Sequence, residues 1–205
     1  MHQVVNPPGP ELVPGLPSTP EPASGPSSMP FLARINSIKH YQALMVYVAI
    51  VVAHWIEHLV QAIQVFVLQM PRPEAGGFLG YLFPNVNKNE ILHWTYAVVM
   101  FVGLLMLHKG FAARSRRWWN VAIGIMTWHF FEHSFLLFQY WSGWHFTGTP
   151  APTSVIQTIF PRVELHLIYN MAVMVPVLMA LSVHWLGPKK IGPQGSCNCR
   201  KHFRQ

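Results

Sequence analysis

Two stretches of the chain carry the same chemistry at the same spacing: His54-Trp55-Ile56-Glu57-His58 and His129-Phe130-Phe131-Glu132-His133. On a helix, positions i, i+3 and i+4 share a face. Each copy would therefore present two imidazoles and a carboxylate together. Those groups ligate iron, copper, zinc and manganese. Both copies lie inside long apolar runs, where an ionisable side chain is costly unless something pairs with it.

Other donors fall at matching places. At a rise of about 1.5 Å per residue, His58 and His133 lie one turn further along than His54 and His129. His93 and His166, near the starts of two later runs, return to that level beside Glu90 and Glu164. The expectation is a dinuclear transition-metal site. His54, His58, His129 and His133 would be its core ligands, and Glu57 and Glu132 would bridge or complete the shell. His93 and His166 would add ligands or orient the rest. Gln61, Gln64, Gln139, Tyr96, Tyr169, Asn170, Glu90 and Glu164 are candidates for hydrogen bonds that orient the ligands. A structural zinc needs only four ligands. This surplus of donors favours a redox metal, iron or copper.

The donor types resemble those of di-iron and di-manganese carboxylate bundles, in composition rather than spacing. Glu90-Ile91-Leu92-His93 fits Glu-x-x-His, whereas Glu164-Leu165-His166 does not. The zinc-protease pattern His-Glu-x-x-His is not present in either copy. Three other readings compete. A b-type haem on His54 and His129, with room left by Gly103 and Gly124, would have no use for the glutamates between the ligands. A proton path would stop halfway, because the inner half lacks ionisable groups until His108 and His184. A His–Glu network that only glues helices together does not require two matched copies. In the tail, Cys197, Cys199 and His202 form a weaker lead to a soft metal such as Cu(I). The basic residues around them also suit anionic lipid headgroups.

The elements that must position these groups follow from composition. Of 205 residues, 51% are hydrophobic and only 10% charged, against about a quarter charged in soluble domains. Four apolar runs cover roughly residues 41–70, 90–108, 118–140 and 163–186. Each is near the roughly 20 residues that span a bilayer, and tryptophans mark their ends. Pro176 should kink the fourth. The expected fold is an all-α, polytopic membrane four-helix bundle in residues 40–187, preceded by a Pro/Gly/Ser-rich segment 1–39 and followed by a basic tail 188–205. The N-terminal segment lacks the features of a signal peptide and cannot bury enough apolar surface to fold alone.

The net charge of +7 is gathered before the first run, between the second and third, and after the fourth. That layout puts both termini in the cytoplasm of a plasma or inner membrane. It does not suit a nucleic-acid binder, and no Gly-rich loop offers a nucleotide site. The chain also repeats. His54, Glu57, His58 and Gln64 recur at a constant offset of 75 as His129, Glu132, His133 and Gln139. Leu92-His93 and Tyr96 recur as Leu165-His166 and Tyr169, at an offset of 73. Residues 41–108 and 118–186 thus read as two parallel helix-pair repeats about an axis along the membrane normal. The functional expectation is an oxidoreductase acting on a small apolar substrate, or an electron-transfer subunit exchanging with quinone. The competing class is an accessory or assembly subunit of a larger membrane complex or homo-oligomer, with metal in a structural role.

Overall fold

The computed structural model describes residues 29–83, 90–186 and 199. The proline-rich stretch 1–28, Lys88, and the tail apart from Cys199 lie outside the described residues, and with them Cys197 and His202. All regular structure among the described residues is helical. In chain order it comprises α1 (Phe31–Ile35), α2 (His40–Phe66), α3 (Gly77–Leu82), α4 (Glu90–Leu107), α5 (Ala113–Ser142) and α6 (Arg162–Leu186). Short 3-10 turns occur at His108–Gly110 and Ile156–Thr158. Helices α2, α4, α5 and α6 are long and apolar enough to cross a membrane.

The four long helices follow the four apolar runs, with differences at the ends that have local causes. α2 stops at Phe66, short of the end of its run at Met70. Pro71 disfavours helical backbone at the residue before it. Gln69 takes a positive φ of 54°, and the Met70 N–H turns back to the Gln64 carbonyl at 2.9 Å. α5 begins at Ala113, ahead of its apolar run, and so takes Arg114, Arg116 and Arg117 into its first turns. There Ser115 Oγ accepts the Ala112 N–H at 3.3 Å. α5 ends at Gly143, whose φ of 68° lets its N–H close on the Gln139 carbonyl. α6 continues through the buried Pro176, which neighbouring helices make tolerable.

The closest packing is between α5 and α6 and between α4 and α5, while α2 lies against both α4 and α6. One end of this group collects the start of α2, the end of α4, the start of α5 and the end of α6. Its core is apolar: Leu44, Tyr47, Leu104, Phe111, Trp119 and Ala180 are among its buried members. Trp119 Nε1 donates to the Leu104 carbonyl at 2.9 Å. Gly103 lets α2 approach α4, since a side-chain carbon there would lie 2.6 Å from the Tyr47 ring. The space that Gly103 was expected to leave for a haem is filled by that ring, whereas Gly124 has nothing within 4 Å of the same position. Facing outward are further apolar side chains, including Val52, Ile56 and Ile63 on α2, Val102 on α4, Phe131 on α5 and Leu178 on α6. The buried polar residues are drawn mainly to the other half of the group, where the histidines lie.

Candidate metal centre

α2 and α5 each place a pair of histidines one turn apart on an inward face. The His54 and His58 rings have centroids 4.6 Å apart at 89°. The His129 and His133 rings are 4.5 Å apart at 89°. A tyrosine packs on the inner member of each pair: Tyr96 of α4 lies 4.8 Å from His54, and Tyr169 of α6 lies 4.7 Å from His129. His166 joins the two pairs, 5.0 Å from His58 and 5.3 Å from His133. His93 lies 6.0 Å from His133 and 6.3 Å from His58. All six histidines singled out in the sequence meet in one cluster.

Two of the rings are held in a defined tautomer. His58 Nδ1 donates to Gln61 Oε1 at 2.6 Å, and His166 Nδ1 donates to the Arg162 carbonyl at 2.6 Å. Both acceptors are oxygens, so each proton sits on Nδ1 and each Nε2 carries its lone pair. Metal-ligating histidines are commonly oriented this way. Around the cluster, His166 Nε2, Nδ1 of His54, His93, His129 and His133, and Glu132 Oε1 are buried without a hydrogen-bond partner. Each such atom costs about 1–3 kcal/mol. They are concentrated in one part of the molecule.

The spacing also fits an ion at one pair. His54 Nε2 and His58 Nε2 are 3.2 Å apart. Two imidazoles on one tetrahedral ion with bonds of 2.0–2.1 Å would have nitrogens about 3.3 Å apart. The same distance serves a hydrogen bond in which His54 donates to His58. A third donor has to come by side-chain rotation. Among the described residues, only one trio of His, Cys and carboxylate donors has all its ligand atoms within 4.8 Å of one another. That trio is His40, His184 and Cys199, at the opposite end of the bundle.

The carboxylates take different places. Glu132 is buried and in hydrogen-bond contact with the Tyr169 hydroxyl, which also accepts from Trp128 Nε1 at 2.7 Å. Glu57 instead accepts the Leu79 N–H at 2.8 Å, so it ties α3 over the helix ends. Glu90 is gripped by both terminal nitrogens of Arg162 at 2.6 Å, and Glu164 pairs with Arg72 at 2.5 Å. The hydrogen bond and then the charge of Glu164 raise the Arg72 pKa above its ordinary value. The repeat mates Gln64 and Gln139 clamp backbone rather than imidazole. Gln64 accepts from the Gly77 N–H at 2.8 Å and donates to the Gly77 carbonyl at 3.3 Å. Gln139 accepts from the Phe146 N–H and donates to the Thr153 carbonyl, both at 2.9 Å. Asn170 Nδ2 is buried without a partner.

Above the histidines opens a polar cavity of about 470 Å³, with His58, His93 and His166 in its wall and Glu90, Arg162 and Arg72 around it. Two smaller spaces of about 10 Å³ flank the cluster, one beside His54, Glu57 and Tyr96, the other beside His129, Glu132 and Tyr169. Arg72 and Arg162 were not singled out as site residues in the sequence. The available signal was that, with Lys88, they are the only Lys or Arg residues between the end of α2 and the start of α4 and between the end of α5 and the first residue of α6. Comparison with protein-family models, curated proteins and solved structures gives no match.

Proposed function

We propose that the chain is an integral, multi-pass membrane protein that holds iron or copper in the outer half of a four-helix bundle, in a redox role. The apolar outward faces of four helices of spanning length support the bilayer. The buried polar cluster inside them supports a site rather than packing alone. The matched geometry of the two His pairs, each with its tyrosine and its loop-clamping glutamine, supports two parallel repeats around a pseudo-twofold axis. The basic residues at the α2-start end favour cytoplasmic termini in a plasma or inner membrane.

The observation that carries the metal reading is the pair of congruent imidazole pairs, with unpartnered buried ring nitrogens, under a polar vestibule. His54 and His58 would hold one ion and His129 and His133 another. His93, His166 and Glu132 lie nearest to complete the shells. Iron or copper bound there would supply one-electron chemistry. The protein's own part is to hold His58 and His166 in fixed tautomers through Gln61 and the Arg162 carbonyl. The Arg162–Glu90 and Arg72–Glu164 pairs then border the way in from outside. The Tyr47 ring fills the space at Gly103 that a haem between His54 and His129 was expected to use, which favours non-haem metal.

The test is elemental analysis with an absorption spectrum of the full chain purified in detergent. The reading expects roughly two transition-metal ions per chain and no Soret band, and loss of those ions in a His58→Ala/His133→Ala variant. A stoichiometric Soret band would overturn it. Firmly bound zinc as the sole metal would reduce the site to a structural one, as in an accessory subunit of a larger complex.

A further inference from the structure

Cys199 is fully buried although it belongs to the basic tail, and it sits with one histidine from the start of α2 and one from the end of α6. One ligand atom from each of His40, His184 and Cys199 lies within 4.8 Å of the others. His40 opens α2 and is fully buried; His184 is in the last turn of α6. Their rings meet edge to face at 5.4 Å. His40 Nδ1 donates to the Ile35 carbonyl at 3.1 Å, which fixes the proton there and makes Nε2 the lone-pair nitrogen.

Aromatic side chains pack against both histidines. Phe111 is fully buried, stacks on Trp119 at 4.0 Å, and lies 4.8 Å from the His184 ring and 5.4 Å from His40. Gly110 lies against the His40 ring, and a side-chain carbon there would overlap it. An N₂S donor set beside aromatic side chains favours soft or borderline metals. A carboxylate is not among the three donors, so hard cations such as magnesium or calcium have no claim on it.

We propose that His40, His184 and Cys199 form a second metal site, for a thiophilic ion (copper or zinc), at the cytoplasmic end of the bundle. It is separate from the histidine cluster, which contains no cysteine. Binding deprotonates the thiol, with the proton released to solvent, and forms one metal–sulfur and two metal–nitrogen bonds. The metal would pin the C-terminal tail to the start of α2 and the end of α6. Of the Cys197, Cys199 and His202 grouping suggested by the sequence, Cys199 alone belongs to the described residues.

The experiment uses the full chain in detergent, stripped of metal by chelation. Cobalt(II), as a spectroscopic stand-in for zinc, reports thiolate ligation through a near-ultraviolet charge-transfer band; Cu(I) is titrated against a chromophoric competitor. We expect one thiolate band in the wild type, its loss in Cys199→Ser, and its retention in Cys197→Ser. Cu(I) affinity should fall at least about tenfold in Cys199→Ser and in His184→Gln, with elution and melting showing that both variants fold. The band should persist in His58→Ala/His133→Ala, so failure of the outer site and failure of this one are read separately. Three results would overturn the proposal: no thiolate band in the wild type, equal loss in Cys197→Ser, or full affinity in His184→Gln.

Discussion

Repetition makes the two glutamates look equivalent, and their neighbours make them different. Glu132 has a buried oxygen with no hydrogen-bond partner beside His129 and His133, whereas Glu57 has an oxygen taken by the Leu79 N–H. Glu132→Gln keeps the shape and removes a poorly screened charge next to the proposed ion. Metal affinity should drop about 10- to 100-fold, measured by competition with a chelator. Glu57→Gln retains an oxygen that can accept from Leu79, so its metal affinity should change far less. Equal losses would show that Glu57 also reaches the metal. Gly77 sets the position of Glu57. Its φ is 72°, and a side-chain carbon there would overlap the Glu57 carboxylate. Gly77→Ala therefore combines left-handed strain with a clash and should cost about 1–3 kcal/mol, seen as a lower melting temperature in detergent.

At the scale of elements, the connections from α2 to α4 and from α5 to α6 are held by the helices they join. Gln139 is fully buried near the end of α5 and engages the backbone of Phe146 and Thr153. Gln64 does the same for Gly77 at the start of α3. In Gln139→Ala those backbone groups lose their partners, at about 1–3 kcal/mol. Hydrogen exchange at the Phe146 amide should accelerate by at least about tenfold, while Gly77 stays protected. Gln64→Ala should reverse the pattern. Exchange that rises in both connections in either variant would mean that they open as one unit. Arg162–Glu90 adds a link of another kind, from the first turn of α6 to the first turn of α4 at the vestibule.

For the whole molecule the distribution of basic residues sets the expected topology. The end that gathers Lys109, Arg114, Arg116 and Arg117 is expected to be inside. Tyr81 in α3 is 79% exposed at the opposite end. In a chain with Cys197 and Cys199 replaced by serine, an impermeant thiol reagent on intact cells should label Tyr81→Cys and leave Arg117→Cys unlabelled until the cells are opened. Labelling of position 117 alone would invert the topology and place the vestibule on the cytoplasmic side.

The sequence by itself determined the four long helices, because the length of an uncharged apolar run is a local property. It also brought out the six histidines, since helical periodicity places His54 with His58 and His129 with His133 whatever surrounds them. The largest shifts of helix ends come where Pro71 and Ser115 intervene. What the polar groups bind was decided by tertiary structure. Gln64 and Gln139 repeat at the same offset as the histidines, yet turn to loop backbone; Glu90 and Glu164 find Arg162 and Arg72 rather than imidazole. Cys199 meets His40 and His184 only once the chain's two ends are brought to one end of the bundle. Periodicity tells which side chains share a face of one helix. It carries no information about groups that distant segments bring to the same place, and a flexible polar side chain settles on whichever of those satisfies it.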